Sequence, residues 1–416
     1  MRNNNLKNKQ LKVIFSSGIG KLHLVEAAVK FKKYSPDTNV ILITSWIPSL
    51  FSLYVLRTIG LGNIAKRLSI RRDAAKIVDS AVGLLLPELT YHILRKIIGS
   101  EKSLGISFKI FGILSSLRLV HKFSSSTILH IRSGGGYRII KKARKLGVKI
   151  IVDHSIAHPL SFKDYLGVEN PFLDNKTLSP NSLLWSQVIS DCDSADQIIV
   201  NSDFVKKTFI DKGYSTEKLL VVYLGLPERF NKIERKYNRD KPLLSLLFSG
   251  HFDIRKGIDL IVRVMKIFEK NNPNICLNVA GNISDSGKAV LNELGNPSNI
   301  IFHGYLNEKQ MDKMLAESDA FIFPTYIEGC SRSVMEAMSA GLPVITTPQS
   351  GAPIINKENG VELENRSPEI WAETILEILS NFEYSNKISK AGRKKLKNFT
   401  DKKYVELLLL SYKSSK

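Results

Sequence analysis

The chain reads FIFPTYIEGCSRSVMEAMSAGLPVITT over residues 321–347, and this stretch decides the fold. Its apolar beginning, residues 320–323, predicts a buried strand that ends at Pro324. A helix is predicted over residues 331–341, since a glycine closes it, and a second apolar strand follows over residues 342–346. Strand, loop, helix and strand in this order form a βαβ unit, so the stretch predicts an α/β protein with a parallel sheet.

Two glutamates, Glu328 and Glu336, stand eight positions apart in this unit. In open parallel sheets, ligands bind beyond the carboxyl ends of the strands. The loop is therefore expected to bring Glu328 and the free N–H groups of the helix start to one crevice. Such N–H groups bind phosphate well, and carboxylates accept hydrogen bonds from sugar hydroxyls. A sugar joined to a diphosphate would use both.

A purely structural interpretation of Glu336 is equally compatible with the local pattern. Ser333-Val-Met-Glu336 fits the Ser-x-x-Glu capping box, in which the glutamate only accepts a hydrogen bond from a backbone N–H at the helix start. The spacing alone leaves both interpretations open.

The same stretch resembles the signature of the glycosyl transferases group 1 family, which are retaining enzymes with the GT-B fold. The family pattern is a Glu, seven residues, a second Glu followed by Ala-Met, and then Gly-x-Pro-Val, and here it runs from Glu328 to Val344. Other segments resemble the family in order and spacing: Phe248–Gly257, Phe302–Leu306, Ser318–Ala320, Ala195–Ser202 and Leu224–Pro227. The resemblance is specific across residues 195–360 and weak before residue 125.

The resemblance implies roles for individual residues. Glu328 would hold hydroxyls of the donor sugar, Glu336 the ribose of the nucleotide, and Lys256 the leaving diphosphate. The family usually has an arginine directly after the glycine that corresponds to Gly250, where this chain has His251. Either Arg255 supplies the missing guanidinium or the site uses one fixed cation fewer.

The set predicted to bind the donor is larger than these residues. It comprises Gly250, Arg255, Gly304, Tyr305, Gly329, Cys330, Ser331, Arg332, Ser333 and Glu336. The resemblance implies no cofactor, because the nucleotide-diphosphate sugar, a UDP- or GDP-sugar, is a co-substrate.

The resemblance also implies an architecture of two Rossmann-like domains whose parallel sheets face a cleft. Residues 1–225 are predicted to be the acceptor-binding domain and residues 226–399 the donor-binding domain. A final helix, about residues 400–416, would cross back onto the first domain. Two domains agree with the length of 416 residues, since single cores rarely exceed about 250–300 residues.

The net charge of +21 is distributed unevenly. Residues 1–150 hold 27 Lys and Arg against 6 Asp and Glu, whereas the rest of the chain holds 33 of each. Residues 46–123 combine basic residues with large apolar ones, which is typical of a segment in a membrane interface, but core helices with solvated basic faces would give the same pattern. No RNP-like, KH-like or zinc-finger pattern occurs, so nucleic acid is not the expected partner.

The cysteines, apolar runs and acidic pairs of the sequence bear on the cellular compartment and on metal binding. Three well-separated cysteines, Cys192, Cys276 and Cys330, indicate a reducing compartment. No signal core opens the chain, and no run of 18 apolar residues predicts a spanning helix. The expected location is the cytoplasm, with peripheral attachment to the inner face of the cell membrane left open. Asp191-Cys-Asp193 is the only Asp-x-Asp spacing and reads as a helix end, so metal independence is predicted.

Candidate acceptor residues lie in the first half of the chain. His154 and His158 follow a predicted buried strand, residues 149–152, and the family has a histidine in the matching loop beside the donor sugar and acceptor, with which His154 aligns best. His154 is therefore a predicted catalytic residue and His158 an acceptor-side residue, although either histidine can be structural. Gly18, Gly20 and Lys21 resemble neither a P-loop nor a Rossmann fingerprint, and they predict a glycine turn that lets the acceptor or diphosphate approach.

The expected function is a retaining, metal-independent transfer of a sugar from a nucleotide-diphosphate sugar to a cell-surface polysaccharide or lipopolysaccharide precursor that is lipid-linked. The alternatives are another activity on the same fold, such as a nucleotide-sugar epimerase or a phosphorylase, and a non-catalytic module that binds anionic surfaces.

Overall fold

The protein is described by a computed structural model that covers residues 11–20, 23–166, 182–235 and 243–413. Seven strands form a parallel sheet in the first half: β1 (Lys12–Ser16), β2 (Asn39–Ser45), β3 (Ser80–Leu84), β4 (Thr127–Arg132), β5 (Lys149–His154), β6 (Gln197–Val200) and β7 (Leu219–Val221). Six strands form a parallel sheet in the second half: β8 (Leu244–Ser249), β9 (Ile275–Ala280), β10 (Ile300–Gly304), β11 (Ala320–Phe323), β12 (Val344–Thr346) and β13 (Val361–Glu362).

Helices connect and cover these strands. In the first half they are α1 (His23–Tyr34), α2 (Leu50–Thr58), α3 (Gly62–Ile77), α4 (Leu85–Ile98), α5 (Ser100–Leu119), α6 (Ile139–Lys145), α7 (Phe162–Leu166), α8 (Leu183–Asp193) and α9 (Asp203–Ile210). The others are α10 (Ile258–Asn271), α11 (Asp285–Leu294), α12 (Glu308–Glu317), α13 (Arg332–Ala340), α14 (Pro368–Ser380), α15 (Phe382–Leu396) and α16 (Asp401–Lys413).

Both sheets have their topological switch point beside the first strand. The strand orders are β3-β2-β1-β4-β5-β6-β7 and β10-β9-β8-β11-β12-β13, so the chain reverses direction across the sheet at β1/β4 and again at β8/β11. Strands such as β5 are buried along their whole length, as expected of parallel strands covered on both faces. The predicted parallel α/β architecture is confirmed, and each switch point opens a crevice at the carboxyl ends of the strands.

The last helix packs against the first sheet. Tyr404, Val405, Leu408 and Tyr412 of α16 are buried in the same core as β1 and α1. A buried polar chain extends this contact, because the Tyr412 hydroxyl lies 2.6 Å from Nδ1 of His130 on β4. Nε2 of His130 lies 3.5 Å from Asp153, which also pairs with His23 at 3.0 Å. The C-terminal helix is thereby linked to the residue directly before His154.

The segment Ser100–Lys122, which contains α5, is long and apolar enough to cross a membrane by length and composition, with a mean hydropathy of 1.4. It is the one such helix among the described residues, and it corrects the expectation that no segment qualifies. Half of its apolar window is buried inside the protein, where α5 packs against α4 and α8. A core helix of a soluble protein passes the same test, so this segment is weak evidence for a membrane span.

The polar chain at the C-terminal helix predicts a stability effect. Replacing Tyr412 by Phe keeps the ring but leaves Nδ1 of the buried His130 without its partner. We expect Tyr412→Phe to lower the free energy of unfolding by about 1–3 kcal/mol, the usual cost of an unsatisfied buried polar group. Chemical denaturation measures the loss, with the exposed Tyr34→Phe as control. Equal unfolding curves for the two variants would contradict the role given to this hydrogen bond.

Candidate active site

Glu328 lies in the loop between β11 and α13, at the carboxyl edge of the second sheet. Its backbone N–H donates to the Gln349 carbonyl at 3.0 Å, which fixes the loop against the segment after β12. Its carboxylate accepts from Lys256 Nζ at 2.7 Å and lies 2.9 Å from Arg255 Nη1. Arg255 also donates to the Ile327 carbonyl at 2.8 Å. Two cations from the loop after β8 therefore hold one carboxylate from the loop after β11.

This pairing decides the charge of Glu328. Burial opposes ionisation, but Arg255 and Lys256 outweigh it, so the pKa of the Glu328 carboxyl lies below its ordinary value. The carboxylate stays ionised at neutral pH and accepts hydrogen bonds only.

Gly257 allows the two loops to come this close. Residues 254–256 form a single 3-10 turn, and Gly257 follows it with φ of 74° in the left-handed region. A Cβ at this position would overlap the carbonyl oxygen of Pro324. The Lys-Gly pair thus places the lysine at Glu328 and leaves space for the β11 loop to pack against it.

Glu336 does not form the capping box that the Ser-x-x-Glu spacing allows. The N-cap of α13 is Ser331, which makes no side-chain cap hydrogen bond. Glu336 instead accepts from Arg332 Nε at 3.1 Å, one turn earlier on the helix. Burial raises the pKa of the Glu336 carboxyl above its ordinary value, and Arg332 offsets part of this rise. The structural alternative for Glu336 is therefore not realised.

Both glutamates line one cavity of about 390 Å³. Its walls are Ser249, Gly250, Lys256, Glu328, Cys330, Ser331, Arg332, Ser333 and Glu336. The cavity combines the cations of Lys256 and Arg332 with the start of α13, where backbone N–H groups have no partner within the helix. Such a set suits an anionic ligand that also carries hydroxyl groups.

A second cavity of about 280 Å³ shares Ser249 and Gly250 with the first. It is lined further by His251, Ala280, Gly281, Asn282, Tyr305, Leu306 and Met311. The Tyr305 ring is largely exposed, and Gly304 bridges to Gly281 next to it. The predicted residue Tyr305 thus lines this second cavity, with Gly304 directly before it, and a flat apolar group can stack on the exposed ring.

Gly329 joins the two halves of the protein. The Ser202 hydroxyl, in the first half, donates to the Gly329 carbonyl. A Cβ on Gly329 would overlap the Ser155 carbonyl oxygen and crowd the Asn201 side chain. The loop that carries Glu328 therefore touches the carboxyl edge of the first sheet.

His154 lines a smaller cavity of about 160 Å³ at that edge, which is walled by Leu104, Phe108, Arg132, Ser133, Asp153, His154, Ser155, Ile156, Leu184, Trp185 and Val188. Its Nδ1 lies 2.9 Å from the Ser133 hydroxyl, and Nε2 lies 3.4 Å from the Ala157 carbonyl. Burial lowers the pKa of the neighbouring Arg132 to about 10, although Asp153 opposes this shift. The cavity lining combines apolar side chains with the charged Arg132 and Asp153.

The other acceptor-side candidates are placed differently. His158 is buried against the rings of Phe209 and Tyr214, and burial lowers its pKa to about 4, so it is neutral at pH 7. It lines none of these three cavities. Gly18 packs against Phe108 of the His154 cavity, Gly20 faces open space, and Lys21 lies outside the described residues.

Asp191 has a structural task. It lies at the end of α8, as the sequence predicts, and it accepts from the N–H groups of Gly134 and Gly136 at 2.7 and 2.8 Å. Its carboxylate thereby stabilises the glycine-rich turn after β4. Within the described ranges, no group of three or more His, Cys, Asp or Glu side chains is arranged to hold a metal ion.

Sequence reasoning missed several cavity residues. Arg132 and Asp153 stand at the carboxyl ends of β4 and β5, so the edge rule that indicated His154 also applies to them. Asn282 and Met311, in contrast, come from separate loops and helices of the second half, and no local pattern indicates that they meet.

Comparison with known proteins agrees with this geometry. Residues 229–395 match the family model described as glycosyl transferases group 1. An uncharacterized 41.2 kDa protein in the cps region of Klebsiella pneumoniae is 28% identical over 199 residues, covering 46% of this chain and 50% of the relative. The capsular polysaccharide biosynthesis glycosyltransferase CapM of Staphylococcus aureus is 27% identical over 225 residues, covering 49% of this chain and 57% of the relative. The chain thus spans about half the length of the curated relatives it matches.

The structural similarity to solved proteins covers more of the chain than these sequence matches do. The crystal structure of HepE from Anabaena in complex with UDP and glucose superposes with a TM-score of 0.62 at 14% identity. The superposition covers 98% of this chain and all of that one. We conclude that the chain has the GT-B fold and that its residues 229–395 match the model of the glycosyl transferases group 1 family.

Proposed function

We propose that the protein is a retaining glycosyltransferase that moves a sugar from a nucleotide-diphosphate donor to a precursor of a cell-surface glycan. One observation carries the proposal: Glu328, held by Lys256, and Glu336, held by Arg332, line a single cavity at the carboxyl edge of the second sheet. The match of the same segment to the family model supports it.

The diphosphate would lie between Lys256, Arg332 and the start of α13. Departure of the nucleotide diphosphate builds negative charge, which fixed cations and helix N–H groups stabilise. Lys256 pairs with Glu328 in the structure and can share its charge with an incoming phosphate. Because these groups supply positive charge, we propose that the transfer does not depend on a metal ion.

The rest of the donor would extend on both sides of the diphosphate. Glu328 accepts hydrogen bonds from hydroxyls of the transferred sugar, and Glu336 accepts them from the ribose. The nucleobase would occupy the cavity beside Tyr305, where its flat face can stack on the ring. UDP in the HepE complex supports a uridine nucleotide as the first donor to test.

The acceptor would enter from the first half, at the cavity lined by His154 and Arg132. The contact of Gly329 with Ser202 brings this edge against the loop of Glu328, so donor and acceptor would meet between the two halves. We propose a lipid-linked acceptor at the cytoplasmic face of the membrane. The capsule-related names of two relatives support a surface polysaccharide as the product.

The first test concerns Glu328. We expect Glu328→Gln to lower sugar transfer by at least about a hundredfold, because the neutral amide cannot balance Lys256 and accepts fewer hydrogen bonds from the sugar. Release of UDP from a panel of UDP-sugars measures turnover, and thermal unfolding shows whether the fold persists. The exposed Glu293→Gln is the matched control. Wild-type turnover in Glu328→Gln would refute the proposed role.

Lys256 is tested through nucleotide binding. We expect Lys256→Met to weaken UDP binding by about ten- to a hundredfold, as a charge-assisted hydrogen bond to phosphate contributes about 1.5–3 kcal/mol. Isothermal titration with UDP and GDP measures the affinities, with the exposed Lys270→Met as control. If the wild-type protein binds neither nucleotide, it is a binding module and not a transferase. If it converts the donor into an epimeric nucleotide sugar without an acceptor, it is an epimerase.

Gly329 tests whether transfer needs contact between the halves. An added methyl group at this position overlaps the Ser155 carbonyl, so Gly329→Ala is expected to separate the two edges. Turnover with acceptor falls at least about tenfold, since misplacement by about 1 Å is costly, while UDP affinity is retained. The control is Gly62→Ala, where a methyl group meets open space. Unchanged turnover in Gly329→Ala would show that this contact is dispensable.

A further inference from the structure

Exposed apolar side chains are concentrated in one segment of the first half. Among the described residues, 15 of the 26 large apolar side chains that are exposed lie between residues 50 and 117. This segment is a small part of the chain, so its share of the exposed apolar side chains is unusually large. Such a concentration of exposed apolar side chains marks a surface that binds another protein or a membrane.

The pattern is clearest on α4. Leu86, Leu89, Ile93 and Ile97 follow each other at spacings of three or four residues, so they form one stripe along the helix. All four are exposed, Ile93 to 54% and Ile97 to 72%. The helix is fixed from behind by α5, against which it packs closely. Because the stripe is exposed, its apolar side chains do not contribute to the packing that stabilises the fold.

A second exposed apolar element is α2, which follows β2, the strand next to β3. Phe51 and Tyr54 of α2 are exposed to 75% and 65%. The two helices start next to each other, because the Trp46 N–H before α2 donates to Glu88 of α4 at 3.2 Å. Arg71 of α3 pairs with the same carboxylate at 2.5 Å and is itself buried. We call the exposed side chains of these two helices the α2–α4 face: Leu50, Phe51, Tyr54, Leu86, Leu89, Ile93 and Ile97.

The same segment carries exposed basic side chains. Arg57, Lys66 and Lys96 are exposed and form no ion pair with any described residue. Residues 46–123 as a whole hold 12 Lys and Arg against 4 Asp and Glu. Apolar side chains flanked by unpaired basic ones are the composition of a helix that lies in the headgroup region of an anionic bilayer.

We propose that the α2–α4 face binds the anionic surface of a lipid bilayer. The apolar stripe enters the boundary between headgroups and acyl chains, and the flanking lysines and arginines contact acidic headgroups. A second copy of the chain fits this face less well, because it would bring the same excess of positive charge opposite itself.

The position of the face gives the binding a consequence for transfer, which rests on the proposed function. The helices of the face begin directly after β2 and β3, whose paired ends are Ser45 and Leu84. The carboxyl edge of the same sheet carries His154 and Ser202. The helices of the face and the acceptor side therefore adjoin the same edge of the first sheet, and docking would bring that edge toward a lipid-linked acceptor in the bilayer.

Vesicle flotation of the full chain tests the inference. We expect binding to vesicles of phosphatidylcholine and phosphatidylglycerol in equal amounts, little binding to phosphatidylcholine alone, and weaker binding at high salt. Ile93→Glu/Ile97→Glu lowers the partition coefficient at least about tenfold, since two apolar anchors become anionic. Lys66→Gln/Lys96→Gln lowers it by about fivefold or more on the anionic vesicles only.

The control adds the same two charges elsewhere. Leu410→Glu/Ile301→Glu replaces exposed apolar residues of α16 and β10, and its binding is expected to equal that of the wild type. Three outcomes would overturn the inference: no flotation of the wild type, an equal loss in the control, or a concentration-dependent dimer that Ile93→Glu/Ile97→Glu abolishes. UDP titration without vesicles is independent of this surface, so failure of docking and failure of the proposed transfer are told apart.

Discussion

The ion pair of Glu328 with Lys256 and Arg255 is the interaction on which the candidate site depends. It joins loops that are 72 residues apart in the chain, one after β8 and one after β11. A largely buried carboxylate without a partner would be neutral or strongly destabilising, whereas the two cations keep it charged and oriented. The pair also fixes the lysine at the cavity wall. The same contact therefore positions the group that would hold the sugar and the group that would hold the diphosphate.

A second set of buried polar contacts links the first sheet to the helices that pack on it. His23, Asp153, His130 and Tyr412 connect α1, the sheet and the C-terminal helix within the core. This series of side-chain contacts includes Asp153, the residue directly before His154. The last helix of the protein therefore supports the residue that is predicted to face the acceptor. The hydrogen bond from Ser202 to the Gly329 carbonyl joins the carboxyl edge of the first sheet to the loop that carries Glu328. Contacts between neighbouring residues therefore run from the C-terminal helix to the edges of both sheets.

Charge and apolar surface are divided between the halves in a way that matches the proposed reaction. Residues 151–416 have balanced charge, and Lys256 and Arg332 line one cavity of the second half. Residues 1–150 carry the whole positive excess together with the α2–α4 face. A soluble, anionic donor and a membrane-bound acceptor would each meet the surface that suits its chemistry. The two parts need not share any residue for this division to operate.

The sequence by itself determined the parallel α/β architecture, the order of its elements and the stretch from Glu328 to Gly341, because apolar periodicity and the glycine and proline stops are local signals. It also indicated the unusual composition of residues 46–123 without deciding whether their apolar side chains face the core or the solvent. Only the tertiary structure decided that question, as it decided that Glu336 pairs with Arg332, that His158 is packed against aromatic rings, and that Arg132 and Asp153 line the cavity of His154. Each of these depends on partners from other elements, up to 282 residues away in the case of His130 and Tyr412. Packing between elements sets such distances, and no local pattern in the chain records them.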